Sequence, residues 1–137
     1  MIAPGRRPNV VDSSAWLEYF AGGPGADHFA AAIEAVDRLI VPAVCLLEVF
    51  RMVLRQRGES EALQAVALMQ QGRVVDLEAS LALSAGKLGV EHKLPIADSI
   101  VYATARLVGG IVWTQDADFD GLPGVEFFPK SRSAKAE

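Results

Sequence analysis

Four acidic side chains stand where a fold could gather them. Asp12 follows the apolar pair Val10-Val11, Glu48 interrupts a mostly apolar run, Asp98 follows Pro95 by three residues, and Asp116 follows Trp113 by three. Carboxylates within a few ångströms raise one another's pKa, so such a group must share a proton, meet a basic partner or bind a divalent cation. No lysine or histidine is placed to answer four acids, and hard oxygen ligands suit Mg2+ or Mn2+ better than zinc. That donor set fits hydrolysis of a phosphodiester, in which one or two cations stabilise the attacking and leaving oxygens. Some acidic residues of the chain also have a plainer reading. Asp12 before Ser13 and Ser14 is a good helix N-cap, Glu48 can pair with Arg51 or Arg55, and Asp118 can open a turn.

The elements that must position these acids follow from periodicity and punctuation. Residues 9–12 read as a strand, and Ser13 and Ser14 open a helix through Trp16, Leu17 and Phe20. Gly22, Gly23, Pro24 and Gly25 make a loop, residues 27–36 a short amphipathic helix, and residues 39–41 a second strand. Pro42 starts a helix that is apolar almost all the way round to Leu54 and should be largely buried. Residues 59–71 form another, with Leu63, Val66, Ala67 and the Met69 side inward. Residues 73–77 are a third strand, and residues 78–92 a helix carrying Leu81, Leu83, Ala85 and Leu88. Pro95 suits the first turn of a helix in which Ile96, Ile100, Val101 and Thr104 or Leu107 recur, until Gly109 and Gly110 end it. Residues 111–113 are then a short, fully buried strand, with Thr114, Asp116 and Asp118 past its end, and residues 125–128 an edge strand. Strands alternating with helices predict an α/β sandwich on a mostly parallel sheet, whose carboxyl edge is where ligands bind. Asp12 and Asp116 emerge on that edge, and packed helices can bring Glu48 and Asp98 to it.

A chain of 137 residues that is 51% hydrophobic is long enough for one sizeable core. We expect a single domain over residues 1–137, its core at about 9–128 and a polar tail at 129–137. A formal charge of -4 and a pI near 5.2 exclude gripping nucleic acid by bulk positive charge, so such a partner would be held locally or through cations. The lone Cys45, among Val44, Leu46 and Leu47, reads as a reduced core residue. The start lacks the apolar core of a signal peptide and no apolar run is long enough to span a bilayer, which predicts a cytoplasmic protein with no membrane partner.

Several motifs are set aside. The glycine-rich loop at 22–25 joins two helices and matches neither GxxxxGK[ST] nor GxGxxG. Asp116, Asp118, Asp120 and Gly121 imitate a calcium EF-hand, but the twelfth position is Phe127 where a bidentate Glu is required. His28 reads as packing and His92 as a helix-end cap. A phosphotransfer receiver built on Asp12 and Thr114 lacks a lysine in the required place, since Lys130 comes too late.

Residues 10–20 (VVDSSAWLEYF), the helix around Glu48, residues 93–105 (KLPIADSIVYATA) and residues 111–119 (IVWTQDADF) together resemble the successive motifs of PIN-domain ribonucleases, closely those of VapC-type toxins of toxin–antitoxin pairs. The likeness runs from Asn9 to about Phe128. It implies a three-layer α/β/α PIN-like sandwich that binds Mg2+ or Mn2+ and cuts RNA, is inhibited by a cognate VapB-like antitoxin, meets DNA only through that antitoxin, and forms a homodimer. Asp12, Glu48, Asp98 and Asp116 match the family's four acids, Ser14 and Thr114 its neighbouring hydroxyls, and Asp118 an additional acid. A catalytically silent PIN-like binding module is the alternative that the same scaffold allows.

Overall fold

The computed structural model describes residues 6–130; the expected tail beyond 130 and the first five residues lie outside that range. Five short strands form one sheet in the order β3-β2-β1-β4-β5, every neighbouring pair parallel. They are β1 (Asn9–Val11), β2 (Leu39–Pro42), β3 (Arg73–Val75), β4 (Ile111–Thr114) and β5 (Val125–Phe127). The helices are α1 (Ser13–Ala21), α2 (Ala26–Ile33), α3 (Ala43–Arg57), α4 (Glu59–Met69), α5 (Ala79–His92) and α6 (Ile96–Val108). Parallel strands need crossover connections, and the right-handed rule sends α1 to α4 over one face and α5 and α6 over the other. The chain moves outward from β1 to β2 to β3, then returns to the far side of β1 as β4. That reversal opens a crevice at the carboxyl ends of β1 and β4, the usual ligand position in such sheets.

The central strands β1, β2 and β4 are mostly apolar because both faces are covered, with Asn9 and Thr114 the polar residues among them. Val10, Val11, Val41 and Val112 are fully buried, with Trp16, Phe29, Met69, Tyr102 and Phe119 filling the space between sheet and helices. In α6 the residues from Asp98 to Ala105 are all buried, so this helix is sunk into the molecule and carries Asp98 inside with it.

Several faces differ from the periodicity reading. α3 buries only Cys45, Val49 and Val53, and leaves Leu47 61% and Leu54 40% exposed. Its neighbour α4 presents Ala62, Ala65 and Met69 inward, the two alanines letting the helices lie close, and turns Leu63 and Ala67 outward. On α5 Leu81 and Ala85 face the core while Leu83 is exposed, and on α6 Ile96 and Leu107 are exposed at the helix ends. The helix expected over residues 27–36 stops at Ile33, where residues 36–38 form a 3-10 turn, and β3 ends at Val75. Pro42 closes β2 and precedes α3; its extended backbone keeps it out of the helix. β4 alternates instead of being buried throughout, with Trp113 half-buried, its indole N–H donating to Asn9 Oδ1 at 3.1 Å and its ring against His28.

Gly110 links α6 to β4 where a Cβ would lie 2.7 Å from the Pro8 carbonyl oxygen, a backbone atom that also accepts from the Ile111 N–H. Gly110→Ala should therefore cost about 1–3 kcal/mol of stability by forcing β4 away from the chain entering β1. Urea unfolding, read against Gly86→Ala, which meets nothing within 4 Å, checks it.

Candidate metal centre

Pairing of Val11 with Trp113 sets Asp12, just past β1, beside Thr114, the last residue of β4. Asp12 sits at the N-cap position of α1, yet its side chain makes no capping bond. Its Oδ2 instead accepts from Ser14 Oγ and from Thr114 Oγ1, both at 2.8 Å. The same hydroxyls accept in turn: the Gln115 N–H donates to Ser14 Oγ at 3.2 Å and the Asp116 N–H to Thr114 Oγ1 at 2.9 Å. This relay fixes the ends of two strands to one carboxylate. Burial raises the pKa of Asp12 above its usual value, the hydroxyl bonds pull it back, and Asp116 adds a smaller upward push.

Asp116 accepts from the Asp118 N–H at 2.9 Å, a local turn that starts the 3-10 segment Ala117–Phe119 and swings Asp118 back toward its neighbour. Asp98 is in the first turn of α6 and only 9% exposed. Asp98, Asp116 and Asp118 each place a carboxylate oxygen so that the three lie within 4.8 Å of one another. Asp98 carries the consequence: burial first, then Asp12, then Asp116 as charge and hydrogen-bond partner, and finally Asp118 push its pKa from 3.8 to about 8. A helix N-terminus favours an anion by only about 0.3–1 kcal/mol, which is too little to oppose those effects.

Glu48 stands outside this trio and accepts from Ser13 Oγ at 2.6 Å. The ion pair expected with Arg51 or Arg55 does not form among the described residues; the Arg55 guanidinium lies against Met52 Sδ. Cys45 lies beside this pair, and burial followed by the Asp12 charge pushes its thiol up, so it stays protonated and inert. His28 stacks on Phe128 with ring centroids 4.3 Å apart, and His92 lies edge-on to Tyr102, while Lys93 takes the left-handed position that ends α5. Neither histidine reaches the acids.

The structure thus groups Asp98, Asp116 and Asp118, couples Asp12 to them, and holds Glu48 on a separate serine. Two residues that the sequence reading passes over lie in the same place. Ser13, which holds Glu48, was hidden by its likeness to an ordinary helix start; Gln115, whose backbone N–H donates to Ser14 Oγ, was hidden because local periodicity does not show a backbone contact across the fold. No Lys, Arg or His forms an ion pair with any of the five acids among the described residues. Oxygen donors only, like charge uncompensated by protein, and one carboxyl forced to keep its proton: this set fits a hard divalent cation.

A parallel sheet with acids gathered at its carboxyl edge is the arrangement of a PIN domain, and the PIN-domain family model matches residues 10–125; the chain belongs to that family. Its fold is shared with the toxin–antitoxin complex from Klebsiella pneumoniae, at 23% identity and a TM-score of 0.74 over 89% of this chain and 98% of that one. The Mycobacterium tuberculosis VapC20 toxin, described as cleaving the sarcin–ricin loop, superimposes with a TM-score of 0.72 at 24% identity, covering 88% and 99%. DNA-bound VapBC from Salmonella typhimurium follows at 0.65 and 15%, covering 90% and 98%. No curated protein matches the chain.

Proposed function

We propose that this chain is a metal-dependent endoribonuclease and the toxin of a toxin–antitoxin pair. The observation that carries the reading is the trio Asp98, Asp116 and Asp118 beside Asp12 at the carboxyl edge of the sheet. Membership of the PIN family and the toxin–antitoxin identity of the structural neighbours support it.

Asp98, Asp116 and Asp118 would hold Mg2+ or Mn2+, with Asp12 beside them and Glu48 at the margin. When bound, such a cation supplies positive charge to the phosphodiester and lowers the pKa of water. The chain's own part is positioning. Ser14 and Thr114 aim Asp12, the turn at Asp116 aims Asp118, and burial of α6 from Asp98 onward keeps that acid from solvent. Burial keeps these charges unscreened, so a phosphate is drawn only when the acids are neutralised. The partners are an RNA substrate, a VapB-like antitoxin that touches DNA in its place, and a second copy of the chain. Exposed Leu47 and Leu54 on α3 and Leu63 on α4 are the apolar surface we assign to the homodimer. The compartment is the cytoplasm, and among the described residues no helix is long and apolar enough to cross a membrane.

The test is cleavage of a mixed RNA pool with Mg2+, with Mn2+ and with chelator, alongside sedimentation at tens of micromolar. Cleavage that needs either cation, by a dimer, is expected. Cutting that survives chelation, or no cutting under any condition, overturns the nuclease assignment, and a monomer overturns the dimer.

A further inference from the structure

Asp116 and Asp118 lie on the connection from β4 to β5, whereas Asp98 lies on α6, so the trio meets only while that connection is held against the helix. Carboxylates this close repel one another once charged, which works against the meeting. The connection is wound into one piece. The Phe119 N–H donates to the Asp116 carbonyl oxygen and the Leu122 N–H to that of Phe119, both at 3.1 Å, while the Asp118 N–H donates to Asp116 Oδ1 at 2.9 Å. Its two ends are fixed by the pairing of β4 with β5. Its middle is fixed by Tyr102, one helical turn past Asp98 on α6 and only 1% exposed. The Tyr102 hydroxyl donates to the Pro123 carbonyl oxygen at 2.8 Å, and its ring meets the fully buried ring of Phe119 with centroids 6.4 Å apart. The Arg106 guanidinium, 5.1 Å from the Tyr102 centroid, covers the phenol from the next turn of α6. Apart from the contact between the Asp98 and Asp116 carboxyls, the Tyr102 bond is the one side-chain hydrogen bond joining α6 to the connection among the described residues.

We propose that Tyr102 is a positioning residue for the metal centre: it straps the turn that carries Asp116 and Asp118 to the helix that carries Asp98. The inference rests on the metal-dependent ribonuclease reading and deepens it. Three carboxylate oxygens of the trio lie within 4.8 Å of one another. Ligands about 2.1 Å from an octahedral Mg2+ stand about 3 Å apart, so the gap between helix and connection must be set to about half an ångström. A connection already strapped to α6 does not have to be ordered when the cation arrives, and affinity rises by the cost saved. Mg2+ demands near-ideal octahedral geometry, whereas Ca2+ accepts a flexible and variable one. The strap therefore matters more to the smaller ion. Its two halves are separable, because Tyr102→Phe keeps the ring against Phe119 and removes only the tie to Pro123.

The experiment titrates Mg2+ and Ca2+ into metal-free wild type, Tyr102→Phe, Phe119→Leu and Ile33→Val by calorimetry, with no RNA present. Ile33 is buried on α2, which carries no residue of the site, so Ile33→Val controls for lost stability alone. Tyr102→Phe should raise the Mg2+ Kd about fivefold to tenfold, the worth of one hydrogen bond, and the Ca2+ Kd less than about twofold. Phe119→Leu, which loosens the other half of the strap, should raise the Mg2+ Kd as well, and Ile33→Val should leave both constants unchanged. RNA cleavage by Tyr102→Phe should then fall at limiting Mg2+ and return to the wild-type rate at saturating Mg2+. An unchanged Mg2+ Kd in Tyr102→Phe, equal losses for the two ions, or the same loss in Ile33→Val would each overturn the inference. So would a wild type that binds neither ion. If the wild type binds Mg2+ but cuts no RNA, the ribonuclease reading falls while the binding constants still decide the strap, which separates the two.

Discussion

Asp116→Asn and Asp98→Asn should each lower RNA cleavage by at least about a thousandfold, on the order of 4 kcal/mol of transition-state stabilisation, while the protein stays folded. Asparagine keeps the shape and one acceptor but removes the charge that a divalent cation requires. Asp118→Asn should fall into the same class, because the turn at Asp116 brings its carboxylate into the trio despite its exposed position. Glu48→Gln should also lower cleavage, and Ser13→Ala should reproduce part of that loss by freeing the Glu48 carboxylate. Single-turnover rates at saturating Mg2+, with circular dichroism to confirm folding, provide the measurement. Wild-type rates in any two of Asp12→Asn, Glu48→Gln, Asp98→Asn and Asp116→Asn would refute the site.

The second expectation concerns stability without metal. Asp98 has a pKa of about 8 in the folded chain against 3.8 as an ordinary aspartate. Below pH 4 both states hold the proton and no penalty applies. Between pH 4 and pH 8 the unfolded chain has released it and the folded chain has not, so folded stability falls as pH rises, and the penalty is complete above about 8. Allowing for screening, the loss is on the order of 2 kcal/mol, or about 5–10 °C in Tm. The chelated protein should therefore melt lower at pH 8 than at pH 5.5, Asp98→Asn should flatten that slope, and Mg2+ at a hundred times its Kd should restore about 2.7 kcal/mol to the wild type alone. Calorimetry across this pH range checks the sign. A chelated wild type that gains stability toward pH 8 would show that Asp98 is not held in a like-charged, buried group.

The reading of Asp12 as a plain helix cap makes the opposite prediction, since a capping carboxylate that loses its charge would cost stability at neutral pH. Asp12 makes no capping bond and Asp98 is pushed up, so substitution to asparagine should leave the fold unharmed or firmer.

What the sequence determined alone is what short-range physics encodes. Val10-Val11, Leu39-Ile40-Val41 and Ile111-Val112 had to be buried strands, and Gly22 and Gly109 end helices in the left-handed conformation that glycine adopts at no steric cost. Strands alternating with helices then required a parallel sheet with Asp12 and Asp116 at one edge. Tertiary structure alone decided which acids meet. Asp12 and Thr114 are 102 residues apart and touch only because β1 pairs with β4, and Asp98 joins them only because α6 is sunk against both. The same holds for helix faces: Leu63 and Leu83 fit an apolar stripe on their own helices, yet neighbouring helices bury the small Ala62, Ala65 and Ala85 instead. The lifted pKa of Asp98 and the serine that holds Glu48 likewise depend on burial and on distances across the fold, which periodicity within one element does not carry.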